Sequence, residues 1–305
     1  MKQFLLLALT LFISITTYAQ LNMQDSTMQV IGYWDKNETQ TYIITHEKYR
    51  VTGTDTAKRE FSKYEVDVTI KDSTANSYTI EWAYRGINTS TDNEFTNELA
   101  KISENLKVII KTDEMGAFKE VVNWEQIRDE VNRSLAHLKI KFKHIPNISA
   151  ITDQVAAMLG TKKAIESAAI KDIHQFYTYH GGKYKLGREL TGQLEVPNLY
   201  GSKPFVADVS IMMDEMNEED NNAIIRMWQT IDSDQLTAST VNYLQQIGKS
   251  VNGKSPDLNE IPALQNETRV AARIHGSGWI IYSMETKEVW ADNVLAFEER
   301  IIEIK

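Results

Sequence analysis

Residues 64–84 read YEVDVTIKDSTANSYTIEWAY, and this stretch decides the fold class. Apolar side chains occupy every second position on both sides of a polar centre: Tyr64, Val66, Val68, Ile70, Tyr78, Ile80, Trp82 and Tyr84. A period of two places such residues on one face of a strand and leaves polar residues on the other. The turn-forming residues 72–76 separate the two halves, so the stretch predicts an antiparallel β-hairpin with one buried face.

A helical block is predicted for residues 123–178, in the middle of the chain. Asn123 and Gln126 have the spacing of a capping box, and the residues that follow have helical periodicity. One stripe of this first helix is apolar and consists of Trp124, Ile127, Val131, Leu135 and Leu138. A second helix is predicted after Pro146 and a third after Thr161.

Strand patterns flank the helical block on both sides. They lie at residues 42–44, 64–70, 78–84, 106–110, 117–122, 184–196, 205–213, 222–231, 269–275, 279–284 and 289–304. For residues 222–231 a helix is the alternative, and the strand is favoured. Helices are predicted for residues 91–102 and 233–247, and irregular segments for residues 20–28 and 52–58. The pattern predicts an α+β fold: one large, curved, half-barrel-like antiparallel β-sheet with the helical block packed on or inside it. No Pro/Ser-rich linker interrupts the chain, which favours a single domain over residues 20–305.

Residues 1–19 are predicted to be a secretory signal peptide. Lys2 precedes the apolar stretch from Phe4 to Ile15, and the small residues Thr17 and Ala19 close the segment. The apolar stretch is shorter than the ~20 residues that span a bilayer, and no second such stretch follows. We therefore expect an exported, soluble protein of the periplasm or the extracellular space, without a transmembrane segment.

The composition excludes several classes of protein. The chain has no cysteine, which excludes disulfides, thiolate metal sites, cysteine nucleophiles and a lipid-anchored N-terminal cysteine. Lys and Arg number 33 against 42 Asp and Glu, a formal net charge of −9. Because nucleic acids and anionic membranes bind positive surfaces, this charge argues against nucleic acid or an anionic membrane surface as a general partner.

The sequence contains no recognisable catalytic motif. Four histidines, His137, His144, His174 and His180, lie near one another, yet a helix would place the last two on different faces. The acidic residues 214–220 lack the spacing and the glycine of a calcium loop, and no Gly-x-Ser-x-Gly or glycine-rich phosphate loop is present. These observations favour a non-catalytic protein without a cofactor. A secreted hydrolase with a carboxylate pair or a histidine-bound metal is the alternative.

Aromatic side chains are the remaining candidates for function. The chain has 6 Trp, 13 Tyr and 9 Phe, and several are predicted on inner strand faces or on the apolar helix stripe. If sheet and helices enclose a cavity, its expected apolar lining includes Trp82, Tyr84, Trp124, Val131, Leu135, Trp228 and Trp279. The alternative is that these side chains only pack the sheet against the helices.

The order of elements resembles that of the periplasmic lipoprotein carriers of the Lol type, in which mid-chain helices cover an open, curved sheet. The resemblance is architectural, so no residue is carried over from it. It implies that acyl chains bind between sheet and helices. The expected function is therefore an exported, non-catalytic envelope protein that binds a hydrophobic ligand, either a lipid or an acylated protein partner. A surface module for protein–protein interaction, bound through a sheet edge or an apolar patch, is a further alternative.

Overall fold

A computed structural model of the chain describes residues 21–91, 93–104, 106–198, 203–250 and 261–305. These residues form an α+β fold with a large antiparallel sheet, which confirms the predicted fold class. The predicted signal peptide, residues 1–19, lies outside the described residues. None of the described helices combines the length and the hydropathy needed to cross a bilayer.

Strands are numbered in chain order. They are β1 Leu21–Asn22, β2 Thr27–Gln29, β3 Thr39–Thr52, β4 Asp55–Thr74, β5 Ser77–Thr89, β6 Lys107–Thr112, β7 Phe118–Val121, β8 Lys183–Lys185, β9 Glu189–Val196, β10 Phe205–Asn217, β11 Asn222–Ile231, β12 Gln265–His275, β13 Ile280–Ala291 and β14 Val294–Ile304.

The helices are α1 Glu94–Ala100, α2 Trp124–Lys141, α3 Ile148–Met158, α4 Lys162–Ala164, α5 Lys171–Tyr177 and α6 Ser233–Ser250. A 3₁₀ turn, Lys101–Ser103, continues α1, and a π-helical turn, Ile165–Ala169, continues α4. The structure thus confirms helices at the predicted positions in the block and near residues 91–102 and 233–247.

One continuous 11-stranded sheet runs in the order β7-β6-β5-β4-β3-β14-β13-β12-β11-β10-β9. Every neighbouring pair is antiparallel. The N-terminal and C-terminal strands meet in the middle of the sheet, where β3 pairs with β14 from Tyr42↔Ile304 to Thr52↔Val294. The sheet stays open, with β7 and β9 at its edges. A separate 3-stranded sheet contains β1, β2 and β8.

The helical block packs on one face of the large sheet, which we call the inner face. Apolar side chains of this face are buried, among them Tyr42, Ile44, Val66, Val68, Ile80, Trp82, Ile225, Val270, Ala272 and Ile302. Helix α5 lies directly on them, because the ring of Phe176 contacts those of Tyr42 and Trp82 edge-on, each at 5.2 Å between centroids. Gln175 of the same helix donates a hydrogen bond to Ser283 Oγ at 3.0 Å.

Two segments that were predicted to be irregular contain strands. In residues 20–28, Met28 is fully buried in β2 and is paired with Tyr184 of β8. In residues 52–58, a tight turn at Gly53 leads directly into β4. Both predictions are wrong because pairing with other strands stabilises segments that have too few apolar residues to show alternation.

Two elements that were predicted to be continuous are interrupted. The third predicted helix is divided into α4, the π-helical turn and α5, with non-helical backbone at Ile170 (φ −110°, ψ 40°). The predicted strand 184–196 is divided into β8 and β9. Between them Gly187 has a φ of +69°, a conformation that an extended strand does not contain.

The predicted capping box at Asn123 is not formed, although α2 begins directly after this residue. The side-chain oxygen of Asn123 accepts a hydrogen bond from the Ile109 N–H at 2.8 Å, and its amide donates one to the Lys107 carbonyl at 2.8 Å. Both partners belong to β6. The side chain therefore connects the start of α2 to the sheet instead of capping its own helix.

An aromatic cluster fills the core where the helical block meets the turn between β12 and β13. The ring of Trp34 lies 5.6 Å from that of His180 and 5.2 Å from that of Trp279, measured between centroids. His180 is buried, and its Nε2 donates a hydrogen bond to the Gly278 carbonyl at 2.8 Å. Burial lowers the pKa of His180 to about 4. The imidazole is therefore neutral in the folded protein at neutral pH.

Gly278→Ala is expected to destabilise the protein more than Gly53→Ala. Both glycines have a positive φ, +84° for Gly278 and +61° for Gly53, but a Cβ on Gly278 would lie 2.4 Å from the Ile31 carbonyl oxygen whereas one on Gly53 would meet nothing within 4 Å. We expect a loss in unfolding free energy of more than about 3 kcal/mol for Gly278→Ala and about 1 kcal/mol for Gly53→Ala. Urea denaturation measures both, and equal losses would contradict the close approach.

The stability of the protein is expected to fall as the pH is lowered below 6.5, because of His180. The folded state holds this imidazole neutral down to about pH 4, while the unfolded chain takes up the proton near pH 6.5 and is thereby favoured. Between pH 7 and pH 5 we expect a loss of about 2 kcal/mol. Chemical denaturation of the wild type and of His180→Phe tests this, since the variant should lack most of the slope. If the unfolding free energy of both proteins depended equally on pH, other groups would be responsible. The control is His137→Asn, which removes an exposed histidine and should leave the pH dependence unchanged.

Candidate functional site

A pocket of about 280 Å³ lies between the inner face of the sheet and the helical block. One wall comes from β3, β4, β5, β6 and β14, and the other from α1, α2, α5 and the π-helical turn. Its apolar lining includes Tyr84, Leu106, Val108, Ile127, Ile165 and Ile170. The pocket is partly open to solvent, so it joins an apolar interior to the surface.

Charged side chains gather at one end of this pocket around Arg300, which is only 4% exposed. The Arg300 guanidinium contacts three carboxylates: Asp172 at 3.2 Å, Glu285 at 2.9 Å and Glu298 at 3.7 Å. The second oxygen of Asp172 accepts a hydrogen bond from the Tyr64 hydroxyl at 2.8 Å. A buried cation requires partners of this kind, because an unpaired charge in the interior is strongly destabilising.

Strand register explains why these groups meet. His46, Arg300 and Glu285 are paired with one another across β3, β14 and β13, two residues along from the apolar pair Ile44↔Ile302. Side chains two residues apart on a strand share a face. The inner face therefore changes from apolar to charged within one step along these strands, and the pocket lies across this change.

Glu298 is the carboxylate shared by the basic side chains nearest the mouth. His46 Nε2 is hydrogen-bonded to it at 2.8 Å, and the ammonium groups of Lys48 and Lys171 lie 3.5 and 3.8 Å away. Burial by itself would raise the pKa of Glu298, but the His46 hydrogen bond and the charges of the lysines outweigh it and hold this pKa well below its ordinary value. Glu298 is therefore ionised throughout the neutral range.

Two tyrosines at the same end remain protonated. Burial, and after it the charge of Asp172, raises the pKa of Tyr64 and of Tyr84 well above the usual value. Tyr64 thus acts as a hydrogen-bond donor to Asp172. For Arg300, burial lowers the pKa, but the neighbouring acidic groups, with Asp172 and Glu285 foremost, together raise it further than burial lowers it. Near neutral pH, therefore, Arg300 and Glu298 are charged and the two tyrosines are neutral.

A smaller pocket of about 160 Å³ adjoins the first one. The two share His46 and Ser62, and the smaller pocket also contacts Lys48, Thr89 and Thr96. It lies between α1 and strands β3 to β5. The charged end of the main pocket therefore meets the smaller pocket beside α1 at two polar side chains, His46 and Ser62.

Six of the residues predicted to line a ligand site lie in or next to the same hydrophobic core, but only one of them lines the pocket. Tyr84 is in its wall. Trp82, Val131 and Leu135 are buried in the surrounding core, and Trp124 is half-buried with the Arg128 guanidinium 5.1 Å above its ring. Their role in ligand binding stays a prediction. Ile127, from the same predicted helix stripe, does line the pocket.

Trp228 and Trp279 do not line the pocket either. Trp228 was predicted on the inner face, and this is wrong: it shares a face with Arg226, while Ile225 on the opposite face is buried. Apolar residues occupy both faces of β11, so the sequence did not reveal its orientation. Trp279 is buried in the aromatic cluster, and its Nε1 donates a hydrogen bond to Glu38 at 2.6 Å.

Sequence reasoning missed the charged residues of the pocket, above all His46, Lys171, Asp172 and Arg300. A signal was present for two of them. His46 continues the alternation that begins at Tyr42, and Arg300 precedes the buried Ile302 by two residues. A charged residue in the register of buried apolar ones marks a position where the structure must supply a partner. Lys171 and Asp172, on a short helix, gave no comparable signal.

The histidines do not form a metal site. Across the described part of the chain, no group of three or more His, Asp or Glu side chains is arranged to hold a metal ion. His137 and His144 are exposed, His174 lies against the ring of Phe118 at 5.1 Å, and His180 is buried in the aromatic cluster. In the acidic segment 214–220, residues 214–217 belong to β10. The metal version of the hydrolase alternative therefore has no site among these residues.

Comparisons with known proteins give no family. No family model matches the chain, and no curated protein matches it. Among solved structures, lipovitellin, from work on its lipid–protein interactions, aligns with 89% of this chain and 25% of its own, at 10% identity and a TM-score of 0.40. DynF from the dynemicin biosynthesis pathway of Micromonospora chersina aligns with 91% of this chain and 84% of its own, at 6% identity and a TM-score of 0.21.

These scores are too low for an argument about function, and this chain spans about a quarter of the lipovitellin chain, 25%. The structure shares only its general architecture with the predicted Lol-type fold, namely a large open antiparallel sheet with mid-chain helices on one face.

Arg300→Met is expected to lower the free energy of unfolding by about 3–5 kcal/mol, because it leaves three carboxylates near a buried site without their common cation. Arg269→Met is the matched control. Arg269 also pairs with a carboxylate, Glu267, but its side chain is 52% exposed, and we expect a loss of less than about 1 kcal/mol. Thermal and urea denaturation of the two variants measures the difference, and similar small losses would show that the Arg300 cluster does not stabilise the fold.

Proposed function

We propose that this protein is a non-catalytic binding protein that holds one small hydrophobic ligand between the sheet and the helical block. The observation that carries the proposal is the pocket of about 280 Å³, with apolar walls from both layers and charged groups at one end. Ligand pockets in proteins have this composition: mostly apolar lining with a few polar groups that fix orientation.

The volume limits the ligand to one short chain. Pockets for small molecules span about 300–1,000 Å³, and this one, at about 280 Å³, is slightly smaller than that range. A single acyl chain or a compact apolar molecule fits this size better than a lipid with several chains. Of the ligands expected from the sequence, the proposal therefore retains a single-chain lipid or the acyl group of a modified partner.

A binding role is favoured over hydrolysis by the partners of the carboxylate in the pocket. Of the described lining residues, Asp172 alone has a carboxyl group. One of its oxygens contacts Arg300 and the other accepts the hydrogen bond of Tyr64. Glycoside hydrolysis, for example, uses two carboxyl groups that flank the scissile bond. Asp172 instead supports the neighbouring cation.

The proposal places this binding protein outside the cytoplasm. The support is the pattern of residues 1–19, with a basic start, an apolar middle and small residues at its end. Residues 20–305 are proposed to act as one domain, since the 11-stranded sheet joins N-terminal and C-terminal strands without interruption.

Ala100→Trp is expected to weaken ligand binding, since Ala100 at the end of α1 lines the pocket and an indole there would occupy its space. The measurement is titration of the purified protein with 1-decanol and with an environment-sensitive apolar dye. Affinity should fall at least about tenfold in the variant. Ala136→Trp, on the exposed side of α2, adds the same side chain away from the pocket and should bind like the wild type.

Two results would overturn the proposal. One is that neither decanol nor the dye binds the wild-type protein. The other is that Ala100→Trp and Ala136→Trp bind both compounds as tightly as the wild type, which would place the binding elsewhere. Circular dichroism and a melting curve for each variant show whether the fold is kept.

A further inference from the structure

The polar groups at the charged end of the pocket differ in how completely they are paired. Arg300 contacts carboxylates through Nε and both terminal nitrogens. Asp172 has a partner on each oxygen, Arg300 on one and Tyr64 on the other. Asp172 therefore has no unpaired oxygen left for a ligand, and the charge of Arg300, which is 4% exposed, is already offset by Asp172 and Glu285.

Lys171 is paired much less completely. Its ammonium contacts one carboxylate, Glu298, at 3.8 Å, which is too long for a direct hydrogen bond. Glu298 is also the partner of His46 at 2.8 Å and of Lys48 at 3.5 Å. One carboxylate thus serves three basic side chains. Lys171 lines the pocket, and its side chain is 45% exposed, so its three donors are accessible from the pocket mouth.

Asp172 and Glu285 are already paired with Arg300, which leaves Glu298 as the carboxylate that Lys171 shares with Lys48 and His46. Arg300 and Lys48 flank Lys171, and Lys287 is paired with Glu298 in the strand register. The pKa of Lys171 is lowered, first by partial burial and then by the charges of Lys48, Arg300 and Lys287, which together exceed the opposite effect of Glu298. An added negative charge would raise this pKa.

Two groups at this end can still donate a hydrogen bond to a ligand. One is the Lys171 ammonium, which can only donate. The other is the hydroxyl of Ser62, which has no hydrogen-bond partner within the described residues and is common to both pockets. A charged donor of this kind pairs most strongly with an anionic head group that accepts hydrogen bonds.

We infer that the ligand of this pocket is a single-chain anionic amphiphile, whose head group pairs with Lys171 at the mouth while its chain lies along Leu106, Val108 and Ile165. The inference rests on the proposed function and adds the head-group chemistry to it. A carboxylate and a phosphate monoester both satisfy that chemistry.

The test compares ligands with the same chain and different head groups. Wild-type protein is titrated by calorimetry with decanoate, decyl phosphate and 1-decanol, below their aggregation concentrations. The same titrations are made on Lys171→Met and on Lys287→Met. The second variant removes an equal charge from the same neighbourhood, but Lys287 is not among the residues that line the pocket.

The quantity to compare is the ratio of the decanol Kd to the decanoate Kd within each protein. Because the ratio is taken within one variant, a general weakening of the pocket cancels. We expect wild type and Lys287→Met to prefer decanoate by at least about tenfold, and Lys171→Met to lose that preference while its decanol affinity changes by less than about threefold. Lys171→Arg should retain the preference, since it keeps the charge.

Other results would reject either the head-group inference or the proposed function. Binding of decanol and decanoate with equal affinity to the wild type overturns the inference and leaves the proposed function standing. An equal preference in wild type and Lys171→Met also overturns it, because another group would then hold the anion. Failure of all three ligands to bind rejects the proposed function itself. The relative affinities of decanoate and decyl phosphate distinguish the two head groups.

Discussion

Arg300 lies in the middle of an 11-stranded sheet, and only 4% of its side chain is exposed. A buried guanidinium is stable only when carboxylates pair with it, because an unpaired charge in the interior is strongly destabilising. The carboxylates come from three elements: Asp172 from α5, Glu285 from β13 and Glu298 from β14 itself. Because removing one partner of such a cluster leaves an uncompensated charge, the contact to Asp172 holds α5 against the sheet. The position of α5 in turn sets the wall of the pocket and brings Lys171 to its mouth.

The character of the pocket follows from where this cluster lies on the inner face. On one side the strands carry fully buried residues such as Ile44 and Ile302, and the aromatic contacts of Phe176 make that region a packed core. On the other side the strands carry His46 and Arg300. A ligand at this boundary meets an apolar wall and a charged end together, which is the arrangement that an amphiphile matches.

Sequence patterns predicted elements well where one segment carries a complete signal. The alternation of residues 64–84 became β4 and β5, and the apolar stripe of residues 124–138 became the buried side of α2. Prediction failed where the signal lies in a distant partner. Met28 is buried only because β8 pairs with its strand, and Asn123 bonds to β6 instead of capping α2. The orientation of Trp228 was ambiguous, because β11 is apolar on both faces.

The sequence by itself determined the fold class, the antiparallel hairpins and the position of the helical block, because periodicity and turn residues act over a few neighbouring residues. It also determined what the protein cannot use, since a chain without cysteine forms neither disulfides nor thiolate sites. Only the tertiary structure decided the candidate site. His46, Lys171 and Arg300 are far apart in the chain, and strand register together with the packing of α5 brings them to one pocket. Local patterns contain no information about such distances, because the pairing of remote strands is a property of the whole sheet.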